Sequence, residues 1–128
     1  MLTIYLKSYN KIIRNADVKL FDDLGYDDIL WIDMVNPSVK EKRAVEEFME
    51  INLQTQQQME EIESSSRYSE TEKAVFCNTN FLVSTDSGFV VEPVSFVVSE
   101  GVLISERNTE LKTFAEAAKK LQINYRLY

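Results

Sequence analysis

At 128 residues the chain has the length of one domain and buries a core without covalent staples; 45% of it is hydrophobic and 27% charged, as in ordinary globular proteins. A formal net charge of −7 argues against nonspecific nucleic-acid binding, which needs Lys and Arg clustered against phosphate. A single cysteine, Cys77, excludes an intrachain disulfide framework, and the absence of histidine removes Ser-His-Asp and Cys-His catalysis and the usual zinc spacings.

The acidic balance is compatible with divalent cations as well as with simple solubility. No apolar run approaches the roughly 18–20 residues that span a bilayer. The first residues, "MLTIYLKSYN", lack the basic-then-apolar design of a secretory leader. As given, the chain is expected to be soluble and unexported.

Leu2–Lys7 alternates and predicts a first strand. The polar stretch "ADVKLFDDLGYDD" predicts a short helix or turn broken at Gly25. Ile29–Val35, "ILWIDMV", is almost continuously apolar and suits a strand covered on both faces. It stops at Asn36-Pro37-Ser38, because Pro37 restricts Asn36 and has no N–H for a sheet. Ser38 and Glu41 then match an S-x-x-E capping box, and Val45, Phe48 and Met49 recur at helical spacing behind it.

Leu53 precedes "TQQQ", a T-x-x-Q box that predicts a second helix through about Glu63. A polar break follows, with a short strand around Arg67–Glu70. Ala74–Ser84 alternates, with Val75, Cys77, Thr79, Phe81 and Val83 on one face. Thr85–Gly88 predicts a turn, Phe89–Ser99 the next strand with a bulge or break at Pro93, and Val102–Arg107 the last strand of a meander. Asn108 or Thr109 is expected to cap a final helix with an apolar stripe of Leu111, Phe114, Ala115, Ala118 and Leu121. The order β, β-α-α, β-β-β, α implies an α/β (α+β) domain built on a mixed sheet with helices packed on it.

Few residues suggest chemistry. Asp33, an acid near the carboxyl end of an apolar strand, has two readings: a ligand or catalytic acid, or an acceptor for turn and helix N–H groups beside Asn36 and Ser38. The second is the commoner use, and an architectural role is expected. Glu60, Glu61 and Glu63, with Glu70 and Glu72 nearby, suit a hard cation that takes oxygen ligands. They equally suit the solvated face of a helix. Cys77 sits mid-strand and is expected to be a buried structural thiol, with no base readable beside it. An Arg67 ion pair with a preceding acid matters only if buried or at an interface. Three glycines are too few for a phosphate-binding loop, and no nucleophile–base pair is visible, so no enzyme activity is expected.

Several segments together carry a resemblance. "WIDMVNPSVKEKRAVEEFMEINLQTQQQMEEIESSSRYSE" resembles the N-terminal part of the CorA family of divalent-metal transporters. The matching features are Trp31-Ile32-Asp33, Asn36-Pro37-Ser38, Phe48, Leu53, Met59-Glu60-Glu61-Ile62 and Ser66-Arg67-Tyr68. Downstream, Pro93 to Phe96, Gly101, Leu103, Ile104 and Arg107 are similar to that family's Pro-Val-Ser-Phe strand, glycine turn and following strand.

The resemblance implies an α/β/α sandwich, with helices on both faces of the mixed sheet. It further implies a cytoplasmic regulatory domain at the inner membrane that senses Mg²⁺, in a homopentamer whose stalk and two membrane helices form the channel. Metal between neighbouring domains favours the closed state. Carried over through Arg67, Glu60 falls on one acidic position of the regulatory metal site and Met59 on the other, so Glu60 and its neighbour Glu61 are the metal candidates; Mg²⁺ is the implied ion and Co²⁺ the second. The stalk, the membrane helices and the pore Gly-Met-Asn motif are absent from the sequence given, so residues 1–128 are expected to be one domain of a longer transporter. The competing expectation is a freestanding interaction module of the same fold.

Overall fold

The computed structural model describes residues 1–8, 11–15, 17–53 and 68–123. Among the described residues seven strands form one sheet: β1 (Leu2–Ser8), β2 (Lys11–Asn15), β3 (Ile29–Val35), β4 (Tyr68–Glu70), β5 (Val75–Thr85), β6 (Gly88–Ser99) and β7 (Val102–Arg107). Their spatial order is β2-β1-β3-β7-β6-β5-β4. Every neighbouring pair is antiparallel except β3 with β7, which is parallel, so the sheet is mixed as expected. Two α-helices, α1 (Val39–Met49) and α2 (Lys112–Ile123), and two 3-10 segments, Val18–Asp22 and Tyr26–Asp28, complete the described chain.

Burial divides the side chains between the two faces. On one face Ile32, Met34, Val97, Val102 and Ile104 meet Val45 and Met49 of α1. On the other, Tyr5, Trp31 and Val94 meet Leu111, Phe114 and Ala118 of α2. The helices therefore cover both faces, and the α/β/α sandwich holds. Each fully buried aliphatic side chain contributes about 1.5–3 kcal/mol through loss of apolar contact with water. A register slip fits Ile29 into this scheme: Tyr5 pairs with Trp31 but Leu6 pairs with Ile29, so Leu30 is an extra residue. That bulge puts Ile29 on the α1 face although Trp31, two residues on, is on the α2 face.

On either side of Gly25 the chain forms a short 3-10 turn, as expected, and the first seats Phe21 against Phe48 of α1, ring centroids 4.6 Å apart. The capping box is present: Glu41 N donates to Ser38 Oγ at 3.1 Å and Ser38 N donates to Glu41 Oε1 at 3.0 Å. The β6–β7 hairpin turns through Glu100 (φ 53°) and Gly101 (φ 76°), the doubly positive φ pair that matches the twist of the strands.

The structure departs from expectation at three places. β2 is an unanticipated edge strand; five residues around Ile12-Ile13 are too short for a period to show. β6 runs through Pro93 without a register shift, because β7 pairs with β6 only over Ser95–Ser99. Along the rest of β6 one edge has no described strand beside it, and a residue without an N–H fits there. α2 starts at Lys112, with the Leu111 carbonyl accepting from Phe114 and Ala115; the N–H groups of Asn108 and Thr109 instead donate to Glu92 Oε1, at 2.7 and 3.3 Å. The second predicted helix, from Thr55 to Glu63, lies outside the described residues.

Candidate functional site

The parallel strands β3 and β7 lie side by side, with Asp33 opposite Ser105 and Val35 opposite Arg107. After β3 the chain enters α1 on one face of the sheet; after β7 it enters α2 on the other. Such a switch of face at the carboxyl ends of adjacent parallel strands opens a crevice there. Asn36 N, held at φ 42°, donates to the Arg107 carbonyl at 2.7 Å and ties the two strand ends together.

Among the described residues Arg107 is the largest of the fully buried side chains, 1% exposed. A guanidinium out of water must be paired and hydrogen-bonded. Its Nη1 donates to Asp33 Oδ1, its Nε to the Thr109 carbonyl at 3.0 Å, and its Nη2 to Glu110 Oε2 at 3.3 Å. Its Cζ lies 3.9 Å from the centre of the Phe114 ring, a cation–π contact. Ser105 Oγ also donates to Asp33 Oδ1, at 2.7 Å, and accepts from Trp31 Nε1 at 2.8 Å. A cleft of about 360 Å³ opens beside this network, between β1, β3, β7 and α2. Asp33, Arg107 and Thr3 lie on its sheet side and Glu110, Phe114 and Lys119 on its helix side.

Asp33 is thus architectural, as expected, but through different partners. It serves a buried arginine and a serine, while Ser38 and Glu41 cap α1. With Arg107 on its carboxylate it is a poor cation ligand. What the sequence did not disclose is that Arg107 and Ser105 are the partners of Asp33. Arg107 ends a strand before a polar turn, and its burial depends on α2 folding back over the sheet.

On the other face of β7, Glu106 accepts from Lys42 Nζ at 3.0 Å. Burial nonetheless pushes its carboxyl above the ordinary glutamate range. Glu41, hydrogen-bonded by the Ser38 N–H, is held below that range. Glu60, Glu61, Glu63 and Arg67 lie outside the described residues, and Glu70 and Glu72 are exposed. Among the described residues no group of three acid or thiol side chains is close enough to hold a metal. Cys77 is exposed, contrary to the expected buried thiol. Its strand alternates as predicted, but α2 covers Phe81, Val83 and Phe96 and leaves Cys77 beyond its reach.

No family model matches the chain. The magnesium transport protein CorA of Wolinella succinogenes is 29% identical over 126 residues, covering 94% of this chain and 39% of that protein. The CorA of Campylobacter jejuni strain RM1221 is 28% identical over 130 residues, covering 94% and 40%. The soluble domain of CorA from Methanocaldococcus jannaschii superposes with a TM-score of 0.66 at 12% identity, covering 94% of this chain and 46% of that one.

The chain is similar to CorA proteins over nearly its whole length.

It spans about 40% of the length of these CorA relatives. The complete CorA magnesium transporter of Methanocaldococcus jannaschii shares the fold, with a TM-score of 0.65 at 12% identity, over 98% of this chain and 38% of its own. No helix among the described residues is long and apolar enough to cross a membrane.

Proposed function

We propose that this chain is the regulatory, metal-sensing domain of a CorA-like Mg²⁺/Co²⁺ transporter and acts at the cytoplasmic side of the inner membrane. The observation that carries the reading is the likeness to proteins named magnesium transport protein CorA over 94% of the chain, together with the shared fold. The rest of such a transporter, a stalk and two membrane helices, follows this domain, and five copies assemble around the pore.

In this reading Glu60 and Glu61 supply oxygen ligands toward a neighbouring subunit. Acids facing each other across a subunit boundary repel; a bound divalent cation removes the repulsion and draws the subunits together. Glu60 and Glu61 are too few to complete the site, since a hard cation takes six or more oxygens or keeps its waters, so the isolated domain holds Mg²⁺ weakly. A net charge of −7 raises the local concentration of cations around the domain. Transport selectivity belongs to the pore.

The test is the reading frame beyond Tyr128. Two downstream apolar helices of roughly 20 residues each support the reading. A stop codon with no such segments overturns it in favour of a freestanding module.

A further inference from the structure

We propose that the cleft at the carboxyl ends of β3 and β7 binds a small monocarboxylate, with Glu110 as an internal stand-in that the ligand displaces.

Three observations lead there. The first is position: the cleft lies where adjacent parallel strands send their chains to opposite faces, the place where open α/β sheets take ligands. Its volume of about 360 Å³ is within the range of small-molecule sites. The second is the donor count. A guanidinium carries five N–H groups; among the described residues Asp33, Thr109 and Glu110 engage one each, which leaves two without a described acceptor on a side chain that forms part of the cleft wall. The third is the quality of the Glu110 contact. Its carboxylate is 61% exposed and 3.3 Å from Nη2, longer than the 2.7–2.9 Å of a strong charge-assisted bond. Asp33, by contrast, is buried and doubly engaged.

Charge selects the ligand. Arg107 and Lys119 on the cleft wall balance Asp33 and Glu110, and the Met1 ammonium at its rim is paired with Glu41 at 3.4 Å. Moving Glu110 into solvent leaves one net positive charge, which matches a monoanion and falls short of a phosphate dianion. The planar guanidinium edge accepts a carboxylate through two parallel N–H bonds, the geometry that Glu110 only partly achieves. Phe114, Ala115 and Ala118 offer an apolar wall for a short aliphatic body. This inference is independent of the transport reading.

The experiment is a titration of the ¹⁵N-labelled 128-residue chain with sodium butyrate, followed by amide shifts. Butyramide, sodium phosphate and sodium chloride at matched ionic strength are the comparison ligands. Saturable shifts with butyrate are expected around Thr3, Asp33 and residues 107–119, with none of comparable size from butyramide or chloride. Glu110→Gln removes the competing carboxylate and should tighten butyrate binding about 3–10-fold; Lys119→Glu should weaken it about tenfold. Both positions are exposed, so neither variant threatens folding. Butyrate shifts that do not saturate, shifts equalled by butyramide or chloride, phosphate binding as tight as butyrate, or affinity unchanged in both variants would overturn the proposal.

Discussion

Asp33 and Arg107 stand 74 residues apart in sequence, yet they form a buried ion pair at the ends of neighbouring parallel strands. The pair needs both halves of the chain. β3 brings the carboxylate, β7 the guanidinium, and α2 closes over them with Phe114. Removing one member leaves the other charge buried without its partner. Asp33→Asn or Arg107→Met is expected to cost about 3–5 kcal/mol, a large share of the ~5–15 kcal/mol typical of a domain. The double variant should cost less than the sum of the two. Urea denaturation of all four proteins measures the coupling, and strict additivity would show that the pair contributes no interaction energy.

Glu106 predicts an opposite slope from most carboxylates. Its folded-state pKa is raised by burial, so between the ordinary glutamate value and that raised value the native chain binds more protons than the unfolded chain. Stability contributed by this group is present at low pH and is lost as pH rises through the window. Glu106→Gln should flatten that loss, read as denaturation midpoints at a series of pH values above the ordinary glutamate value. An unchanged slope would mean that Lys42 compensates the buried charge fully.

At the start of α1 the sign reverses. Glu41 is held below its ordinary pKa by the Ser38 N–H, so its contribution is complete above the ordinary value and fades as pH falls through the folded one. Ser38→Ala removes the hydroxyl that accepts from the Glu41 N–H and should destabilise by about 1 kcal/mol. Thermal melts at neutral pH test the size. A loss below a few tenths of a kcal/mol would show that the cap is dispensable.

Cys77 should react with a thiol-specific disulfide reagent in the native protein, without denaturant, at a rate close to that of a free thiol. Reaction only after unfolding would return Cys77 to the interior.

Much of the fold is legible in the residues. The alternation in Ala74–Ser84 places β5, Asn36-Pro37-Ser38 ends β3, and Ser38 with Glu41 starts α1 where the structure has it. What escapes is set by long-range contacts. Nothing near Glu92 announces that its carboxylate will take the N–H groups of Asn108 and Thr109 and so delay α2 to Lys112. Pro93 is a local strand breaker whose effect vanishes because β7 does not reach that part of β6. Arg107 looks like a solvated charge at a strand end until α2 covers it. Asp33 stands out in the sequence as an acid in an apolar strand, but its partners depend on which strand lies beside β3. The acids proposed to meet metal, Glu60 and Glu61, rest on a resemblance and lie outside the described residues.

Closure by internal Mg²⁺ in the full-length transporter tests the metal-sensing reading most directly. Ion flux through the wild type is compared with that through Glu60→Ala and Glu60→Ala/Glu61→Ala over a range of millimolar Mg²⁺. The account predicts that both variants need more Mg²⁺ to close, the double variant most, while flux at low Mg²⁺ is kept. Closure at the wild-type concentration in both variants would contradict it.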